Sequence, residues 1–225
     1  MAEVIVALDH PSRAEALRLV DRVPGLRWVK VGSTLFVAEG PALVQELKSR
    51  GLRVFLDLKW HDIPHQVEGS VRAAAAWGVD LVSVHALGGG RMMTAARQAG
   101  GDAMRVAAVS VLTSHDAGEW SEIVGRPSST EAAVARLARA AAGAGLTAMV
   151  ASPSEAEQVR AVLGPAAWVV TPGIRPAGAS ADDQRRTATP SEAVGSGATH
   201  LVVGRPITGA TDPAAVYDAV CRDAG

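Results

Sequence analysis

The sequence has 225 residues, of which 48% are hydrophobic, 20% charged and 4% aromatic. This length and apolar content suit one globular domain with a sizeable core. The 22 basic and 23 acidic residues give a formal net charge of -1, so no strong overall field would draw the protein to nucleic acid or to an anionic membrane surface. We therefore expect neither nucleic acid nor a membrane among its partners.

The cysteine content and the first residues bear on location. The single cysteine, Cys221, cannot form an internal disulfide, and no cysteine and histidine spacing suggests structural zinc. The first apolar stretch, Val4 to Leu8, is too short for the hydrophobic region of a signal peptide or for a membrane span. These features favour a reducing, cytoplasmic location.

Short β-branched runs alternate along the chain with longer stretches rich in alanine, leucine and arginine that have a helical period. The predicted strands are residues 4–8, 28–31, 54–58, 81–85, 106–111, 148–150, 168–170 and 200–203. The predicted helices are residues 12–22, 37–50, 65–77, 90–99, 129–143, 154–163, 190–196 and 213–223. This alternation is typical of parallel βαβ units.

Eight such units in 225 residues, with no linker or shift in composition, predict a single (β/α)8 barrel over residues 1–225 rather than a doubly wound sheet with a second domain. Helix starts carry capping residues, among them Ser12, Ser152 and Asp212, and Pro41 favours a first helical turn. The connections 113–128 and 171–189 are unusually long, which is typical of functional or mobile loops.

The active site of such a barrel lies at the C-terminal ends of its strands, and the third strand ends in the densest group of polar residues. Alternation along the strand predicts that Asp57 and Lys59 share the inward face. An ammonium held between carboxylates stays charged even where burial opposes the charge. We interpret Asp57, Lys59 and Asp62 as a catalytic cluster. The alternatives are an ion pair that fills the barrel and, for Asp62, a cap on the helix that begins at Pro64.

A second group of residues predicts an anion site. The connections after strands 7 and 8 of these barrels commonly bind phosphate. Glycine lets backbone N–H groups approach an anion, and arginine offers paired donors to phosphate oxygens. This chain places such residues in both connections: Gly173, Arg175, Gln184, Arg185 and Arg186 after strand 7, and Gly204 and Arg205 after strand 8.

The motif Asp57-x-Lys59-x-x-Asp62-Ile63-Pro64 occurs with six further segments in a fixed order along the chain. These are Ala7-Leu8-Asp9, Val29-Lys30-Val31-Gly32, Val84-His85-Ala86, Val111-Leu112-Thr113-Ser114, Pro172-Gly173-Ile174-Arg175 and Val203-Gly204-Arg205-Pro206-Ile207. In these motifs the sequence resembles the bacterial orotidine 5'-phosphate decarboxylases over nearly its whole length. The resemblance is weaker at His65 and Gln66, where related sequences often carry other polar residues.

The resemblance implies decarboxylation of orotidine 5'-monophosphate to UMP and CO2, the last step of de novo pyrimidine nucleotide synthesis, without a metal or a cofactor. It implies that Lys59 stabilises the carbanion at C6 of the pyrimidine and then protonates it. Asp57 would lie near the substrate carboxylate, and Lys30 would join the charged network beside the ribose.

The same resemblance implies the remaining contacts. Asp9 would bind a ribose hydroxyl and Thr113 would lie by the nucleotide. The protein would form a two-fold homodimer in which Asp62 reaches into the neighbouring subunit's site. The loop of residues 173–187 would close over the phosphate, which four residues would hold: Arg175, Gln184, Gly204 and Arg205.

Other functions share part of this pattern of residues. The magnesium-dependent hexulose-phosphate synthases and keto-gulonate-phosphate decarboxylases share the Asp-x-Lys-x-x-Asp core. After strand 2, however, those enzymes carry a motif like Glu-Val/Ile-Gly, whose glutamate supplies a carboxylate ligand to the metal. This sequence has Lys30 at that position, and a lysine cannot replace a carboxylate ligand. A non-catalytic nucleotide-phosphate sensor would need Arg175 and Arg205 but not the charged cluster. His61 and His65, four residues apart, raise a weaker metal-site alternative, and His85 is expected to be a hydrogen-bonded structural residue.

Overall fold

The computed structural model describes residues 2–176 and 187–225. Eight parallel strands follow one another around a closed barrel in chain order, and the first strand pairs with the eighth. The strands are β1 (Glu3–Ala7), β2 (Trp28–Gly32), β3 (Arg53–Trp60), β4 (Leu81–His85), β5 (Arg105–Val109), β6 (Ala148–Val150), β7 (Trp168–Thr171) and β8 (His200–Val203). The predicted (β/α)8 barrel fold is confirmed.

Helices follow every strand in the described part of the chain. They are α1 (Arg13–Asp21), α2 (Ser33–Ser49), α3 (Pro64–Ala76), α4 (Gly89–Gly100), α5 (Ala117–Ile123), α6 (Thr130–Gly143), α7 (Ala156–Leu163), α8 (Pro190–Gly195), α9 (Arg205–Thr208) and α10 (Pro213–Asp223). Short 3-10 helices precede α4 and α7, at Ala86–Gly88 and Pro153–Glu155. Within residues 2–176 and 187–225, no helix is long and apolar enough to cross a membrane.

The long connection 113–128 contains a helix, α5, that is absent from the predicted elements. The Asp116 carboxylate accepts the Glu119 N–H at 2.9 Å and caps this helix, and Trp120 is buried against the core. One buried tryptophan contributes enough apolar contact to hold a two-turn helix that is too short to show a clear periodic pattern. The short α9 is likewise absent from the predicted elements.

Helix α2 begins four residues before the predicted start at residue 37 and contains a kink. Gly40 has a φ of 63°, outside the helical region, and Pro41 then begins a second helical stretch. Pro41 therefore occupies a first turn, as predicted, but in the second half of a longer helical segment. The other helix starts keep their caps: Ser12 accepts the Glu15 N–H, Ser152 forms a capping box and Asp212 accepts the Ala215 N–H.

The hydrophobic core has two layers. The larger layer packs between the strands and the surrounding helices. The smaller layer fills the barrel interior and consists of Ile5, Ala7, Trp28, Phe55, Leu81, Ala107, Ala148, Val170 and Val202. This interior packing occupies the barrel and leaves only the C-terminal ends of the strands for a ligand.

The N-terminal end of the barrel is closed by an aromatic plug, which we define as Trp28, Trp168 and His200. Each is the first residue of its strand, and the rings of Trp168 and His200 lie 4.2 Å apart between centroids. The guanidinium groups of Arg53 and Arg105 lie over Trp28 and Trp168, at 5.4 and 4.4 Å from the ring centroids. The plug therefore combines aromatic packing with cation–π contacts.

Candidate active site

A cavity of about 430 Å³ opens at the C-terminal end of the barrel. Its volume falls within the range of small-molecule sites, roughly 300–1,000 Å³. Eight of the ten predicted site residues line it: Asp9, Lys30, Asp57, Lys59, Thr113, Arg175, Gly204 and Arg205. Asp62 does not line this cavity, and Gln184 lies outside the described residues.

Four charged side chains form an alternating network along the first three strands. The Lys30 ammonium donates to Asp9 Oδ1 at 2.8 Å and lies 3.9 Å from Asp57 Oδ2. The Lys59 ammonium donates to the same Asp57 oxygen at 2.8 Å. Because Asp57 is only 9% exposed, its charge needs both neighbours. Two carboxylates and two ammonium groups leave the network formally neutral.

The strand register brings these residues together. Ala7 pairs with Lys30 across β1 and β2, and Gly32 pairs with Asp57 across β2 and β3. A side chain at position 32 would crowd this pair, since a Cβ atom would lie 3.1 Å from the Lys30 Nζ and 3.3 Å from Asp9 Oδ1. Gly32 thus provides the space in which the Lys30–Asp9 pair forms.

Lys59 occupies an irregular position in β3. The pairing of β3 with β4 shifts between Leu56 and Trp60, and Lys59 has a φ of 50°, the one positive φ of a non-glycine residue in the described ranges. A left-handed conformation costs a residue with a side chain about 1–2 kcal/mol. Asp57 and Lys59 share the inward side, as alternation predicts, but on a bulged strand.

A residue that the sequence analysis did not select joins this pair. Ser83 of β4 is fully buried, and its Oγ donates to Asp57 Oδ1 at 2.7 Å and accepts the Lys59 N–H at 2.9 Å. Ser83 lies two residues before His85, and alternate residues of a strand share a face, so the sequence does predict that Ser83 faces the same side as His85. That signal does not identify its partners, which depend on the irregular register of β3.

Asp62 is exposed, and its Oδ1 accepts the N–H of the adjacent Ile63 at 2.6 Å. Helix α3 begins at Pro64 with Ile63 as the N-cap residue and without a side-chain cap. The alternative prediction that Asp62 caps this helix is therefore wrong: its oxygen accepts a backbone N–H that precedes the helix. Ile63 beside it is 62% exposed, which is unusual for an isoleucine.

The predicted anion-binding residues lie at the ends of β7 and β8. Gly173 has a φ of 79°, which favours glycine, and Arg175 is 8% exposed with its guanidinium donating to the Ile174 carbonyl at 3.0 Å. The two ends of the connection after β7 are joined, since the Arg175 N–H donates to the Ala188 carbonyl at 2.9 Å. Residues 177–186, and with them Gln184, Arg185, Arg186 and most of the predicted closing loop, lie outside the described residues.

Three histidines lie near the Lys59 end of the site: His61, His85 and His115. The rings of His61 and His85 are stacked, with centroids 5.6 Å apart, and His85 Nδ1 accepts the Leu87 N–H at 3.3 Å. Burial, followed by the charges of His61, Lys59 and His115, lowers the pKa of His85 to about 4. His85 is therefore neutral at pH 7. No group of three potential metal ligands occurs in the described residues, and the His61 ring lies stacked on that of His85.

This arrangement suits an anionic ligand with two different ends. Arg175, Arg205 and the backbone at Gly173 and Gly204 offer donors to a phosphate group. The Lys59 ammonium, fixed by Asp57, offers a positive charge to a reacting centre in the same cavity. At Lys30 the second strand presents an ammonium, so a divalent cation would meet a positive charge there.

Comparison with known proteins places this chain in a family. Residues 2–220 match the family model described as "Orotidine 5'-phosphate decarboxylase / HUMPS family". Proteins named orotidine 5'-phosphate decarboxylase include one from Alkalilimnicola ehrlichii, 53% identical over 99% of this chain and 96% of its own, and one from Anaeromyxobacter sp., 51% identical over 96% of each.

Solved structures agree with the sequence comparison. The crystal structure of orotidine 5'-phosphate decarboxylase from Lactobacillus acidophilus matches with a TM-score of 0.89 and 32% identity, and the alignment covers 100% of both chains. An uncharacterized conserved protein from Geobacillus kaustophilus matches with a TM-score of 0.85 and 36% identity over 99% of this chain and 100% of its own. This chain therefore belongs to the orotidine 5'-phosphate decarboxylase / HUMPS family.

Proposed function

We propose that this chain decarboxylates orotidine 5'-monophosphate to UMP and CO2, without a metal or a cofactor, in the cytoplasmic synthesis of pyrimidine nucleotides. The observation that carries the proposal is the Lys59 ammonium, held 2.8 Å from the Asp57 carboxylate in a cavity that also contains Arg175 and Arg205. The relatives at 50% identity and above bear the name of this activity.

The chemistry requires a fixed positive charge. When the bond between C6 and the carboxyl carbon breaks, CO2 leaves and the electron pair stays on C6 in the plane of the pyrimidine ring. No adjacent group delocalises this pair, so the protein must stabilise it directly. The preorganised Lys59 ammonium is suited to do so and then to transfer a proton to C6. The neutral amine left on Lys59 takes a proton from solvent before the next turnover.

Asp57 has two roles in this proposal. It holds Lys59 in place, and in the bound complex it would lie near the substrate carboxylate and repel it. Two unit charges ~4 Å apart interact by about 4 kcal/mol at an effective dielectric constant of ~20. The neighbouring lysines cancel part of this repulsion, whereas enzymes lower barriers by roughly 8 to 23 kcal/mol. We therefore assign the larger share of the catalysis to Lys59 and a secondary share to repulsion by Asp57.

Binding of the nucleotide is assigned to the rest of the cavity. Lys30 and Asp9 would contact the ribose, and Thr113 would lie by the nucleotide. Phosphate binding is proposed for Arg175, Gln184, Gly204 and Arg205, with the connection after β7 closing over the phosphate. Binding energy from this remote group helps to organise the reacting end of the substrate.

The proposal includes a homodimer whose two sites are shared. The Asp62 carboxylate lies outside the cavity of its own chain, although it belongs to the same motif as Asp57 and Lys59. In the proposed dimer, the second subunit would also cover the neighbouring Ile63, which exposes 62% of its surface. In a two-fold dimer, Asp62 would complete the site of the partner subunit.

A direct assay tests this function. Purified protein is mixed with orotidine 5'-monophosphate in excess chelator, and the loss of the orotate ultraviolet absorbance is followed while UMP is identified as the product. We expect rapid, metal-independent conversion. Conversion of a hexulose phosphate that depends on added magnesium, without any turnover of the nucleotide, would instead assign the chain to the magnesium-dependent members of the barrel superfamily. Nucleotide binding without turnover of either substrate would indicate a sensor.

A further inference from the structure

The irregular pairing of β3 and β4 leaves one residue of β4 opposite three residues of β3. Leu56 pairs with Val82 and Trp60 pairs with Val84, so Ser83 alone faces the segment from Asp57 to Lys59. A bulge of this kind interrupts the ladder of backbone hydrogen bonds and re-aims the side chains within it. Such bulges occur often beside active sites, where they place a functional side chain.

Ser83 supplies the contacts that the bulge needs. Its Oγ accepts the Lys59 N–H at 2.9 Å, at the residue whose φ is 50°. The same hydroxyl donates its proton to Asp57 Oδ1 at 2.7 Å. A buried hydroxyl has one proton to donate, so both of its roles are fixed by these two partners.

These contacts divide the two oxygens of Asp57. Ser83 occupies Oδ1, and Oδ2 faces the ammonium groups of Lys59 at 2.8 Å and Lys30 at 3.9 Å. The Asp57 carboxylate therefore cannot rotate about its terminal bond without losing the Ser83 hydrogen bond. One hydroxyl fixes the backbone of Lys59 and also the orientation of the carboxylate that holds the Lys59 ammonium.

We infer that Ser83 is a positioning residue for the decarboxylation: it sets the geometry of the Asp57–Lys59 pair without touching the substrate. The inference rests on the proposed function. Reacting groups displaced by about 1 Å can lose on the order of 100-fold in rate. Loss of the Ser83 hydroxyl should therefore lower kcat while leaving the binding of the nucleotide through its phosphate and ribose almost unchanged.

The main test compares Ser83→Ala with Ser110→Ala. Ser110 is a matched control because it is also fully buried at the end of a neighbouring strand, but its hydroxyl donates to the Val150 carbonyl at 3.0 Å. We expect Ser83→Ala to lower kcat for orotidine 5'-monophosphate about 10- to 100-fold, with KM and the Kd for UMP within about threefold of wild type. Ser110→Ala should keep kcat within about threefold of wild type.

A second pair of variants covers the case in which Ser83→Ala fails to fold. Threonine and valine have nearly the same shape and differ in that valine carries a methyl group where threonine carries the hydroxyl, so their comparison at position 83 isolates the hydroxyl. We expect Ser83→Thr to exceed Ser83→Val in kcat by about tenfold or more at similar KM. Equal kcat values in this pair, or a kcat of Ser83→Ala close to that of wild type, would overturn the inference. Wild-type protein without turnover would instead refute the proposed function.

Discussion

Lysine is used sparingly in this chain and always beside an aspartate. Three of the 22 basic residues are lysines: Lys30, Lys48 and Lys59. Lys48 lies outside the site, and its ammonium donates to Asp80 Oδ2 at 2.6 Å. The other two lysines belong to the charged network. An ammonium is a compact charge that can release a proton, whereas a guanidinium keeps its charge and binds phosphate oxygens in pairs. The distribution of the two side chains matches the two ends of the proposed substrate.

The space at Gly32 can be tested by adding a single methyl group. A Gly32→Ala variant would place a methyl group 3.1 Å from the Lys30 Nζ and would push the ammonium away from Asp9. We expect kcat/KM for orotidine 5'-monophosphate to fall about tenfold, which corresponds to about 1.4 kcal/mol of transition-state stabilisation.

Steady-state kinetics check this prediction against Gly143→Ala. A Cβ at Gly143, the last residue of α6, would meet no atom within 4 Å, so this variant should retain the wild-type kcat/KM. If Gly32→Ala also retained the wild-type kcat/KM, the space at Gly32 would not be needed for the Lys30–Asp9 pair to support binding and catalysis.

The charged residues of the site could be found from the sequence, but their supporting contacts could not. Asp57 and Lys59 stand out because ionisable residues at the end of an apolar strand must be paired. Ser83 does not stand out, since a serine within a strand is compatible with many environments. Its role depends on a register shift between two strands and on the left-handed backbone of Lys59, neither of which leaves a local pattern.

The predicted strands lie within one or two residues of the observed ones, and those at 81–85, 148–150 and 200–203 coincide with them. Alternation of β-branched and helical segments is a strong signal when it repeats eight times. Helix α5 was missed because a helix of seven residues shows too few turns for a periodic pattern. Its capping residue Asp116 and its buried Trp120 were the signals present.

The aromatic plug predicts how stability depends on pH. Burial, with the charges of Arg105 and Arg53, lowers the pKa of His200 from 6.5 to about 4. The unfolded state therefore binds a proton at His200 at a higher pH than the folded state does. The contribution of His200 to the free energy of unfolding is therefore greatest above pH 6.5, and it decreases by about 3 kcal/mol as the pH falls from 6.5 to 4.

Urea denaturation at several pH values tests the role of His200. A His200→Phe variant retains an aromatic ring in the plug but cannot take up the proton. Its free energy of unfolding should therefore decrease less than that of wild type between pH 6.5 and 4.5. A His65→Gln variant, which removes an exposed histidine, should follow the wild-type curve. If wild type and His200→Phe lost equal stability over this range, protonation of the plug would not contribute.

At the scale of the whole molecule, the described chain contains most of a site but leaves Asp62 outside the cavity. Sharing of Asp62 between subunits predicts that two inactive variants complement each other. In an equal mixture of Lys59→Ala and Asp62→Ala, half of the exchanged dimers are mixed, and each mixed dimer has one site with both residues intact. We expect about a quarter of the wild-type activity after exchange.

The matched control is a mixture of Lys59→Ala and Asp57→Ala. Both of these residues line the cavity of one chain, so no mixed dimer regains an intact site and activity should stay at the level of the single variants. Exchange of subunits is verified separately with a mass-labelled chain. Absence of recovery in the first mixture, despite verified exchange, would mean that Asp62 does not act across subunits.

The role of Lys59 is tested most directly by the reaction of Lys59→Ala with orotidine 5'-monophosphate, measured together with the Kd for UMP. We predict that kcat falls by more than about 1,000-fold, because the charge that stabilises C6 and the proton it receives are both lost. The Kd for UMP should stay within about tenfold of wild type, since the phosphate and ribose contacts remain. A variant that decarboxylates the nucleotide at close to the wild-type rate would contradict the assignment of Lys59 as the group that drives the reaction.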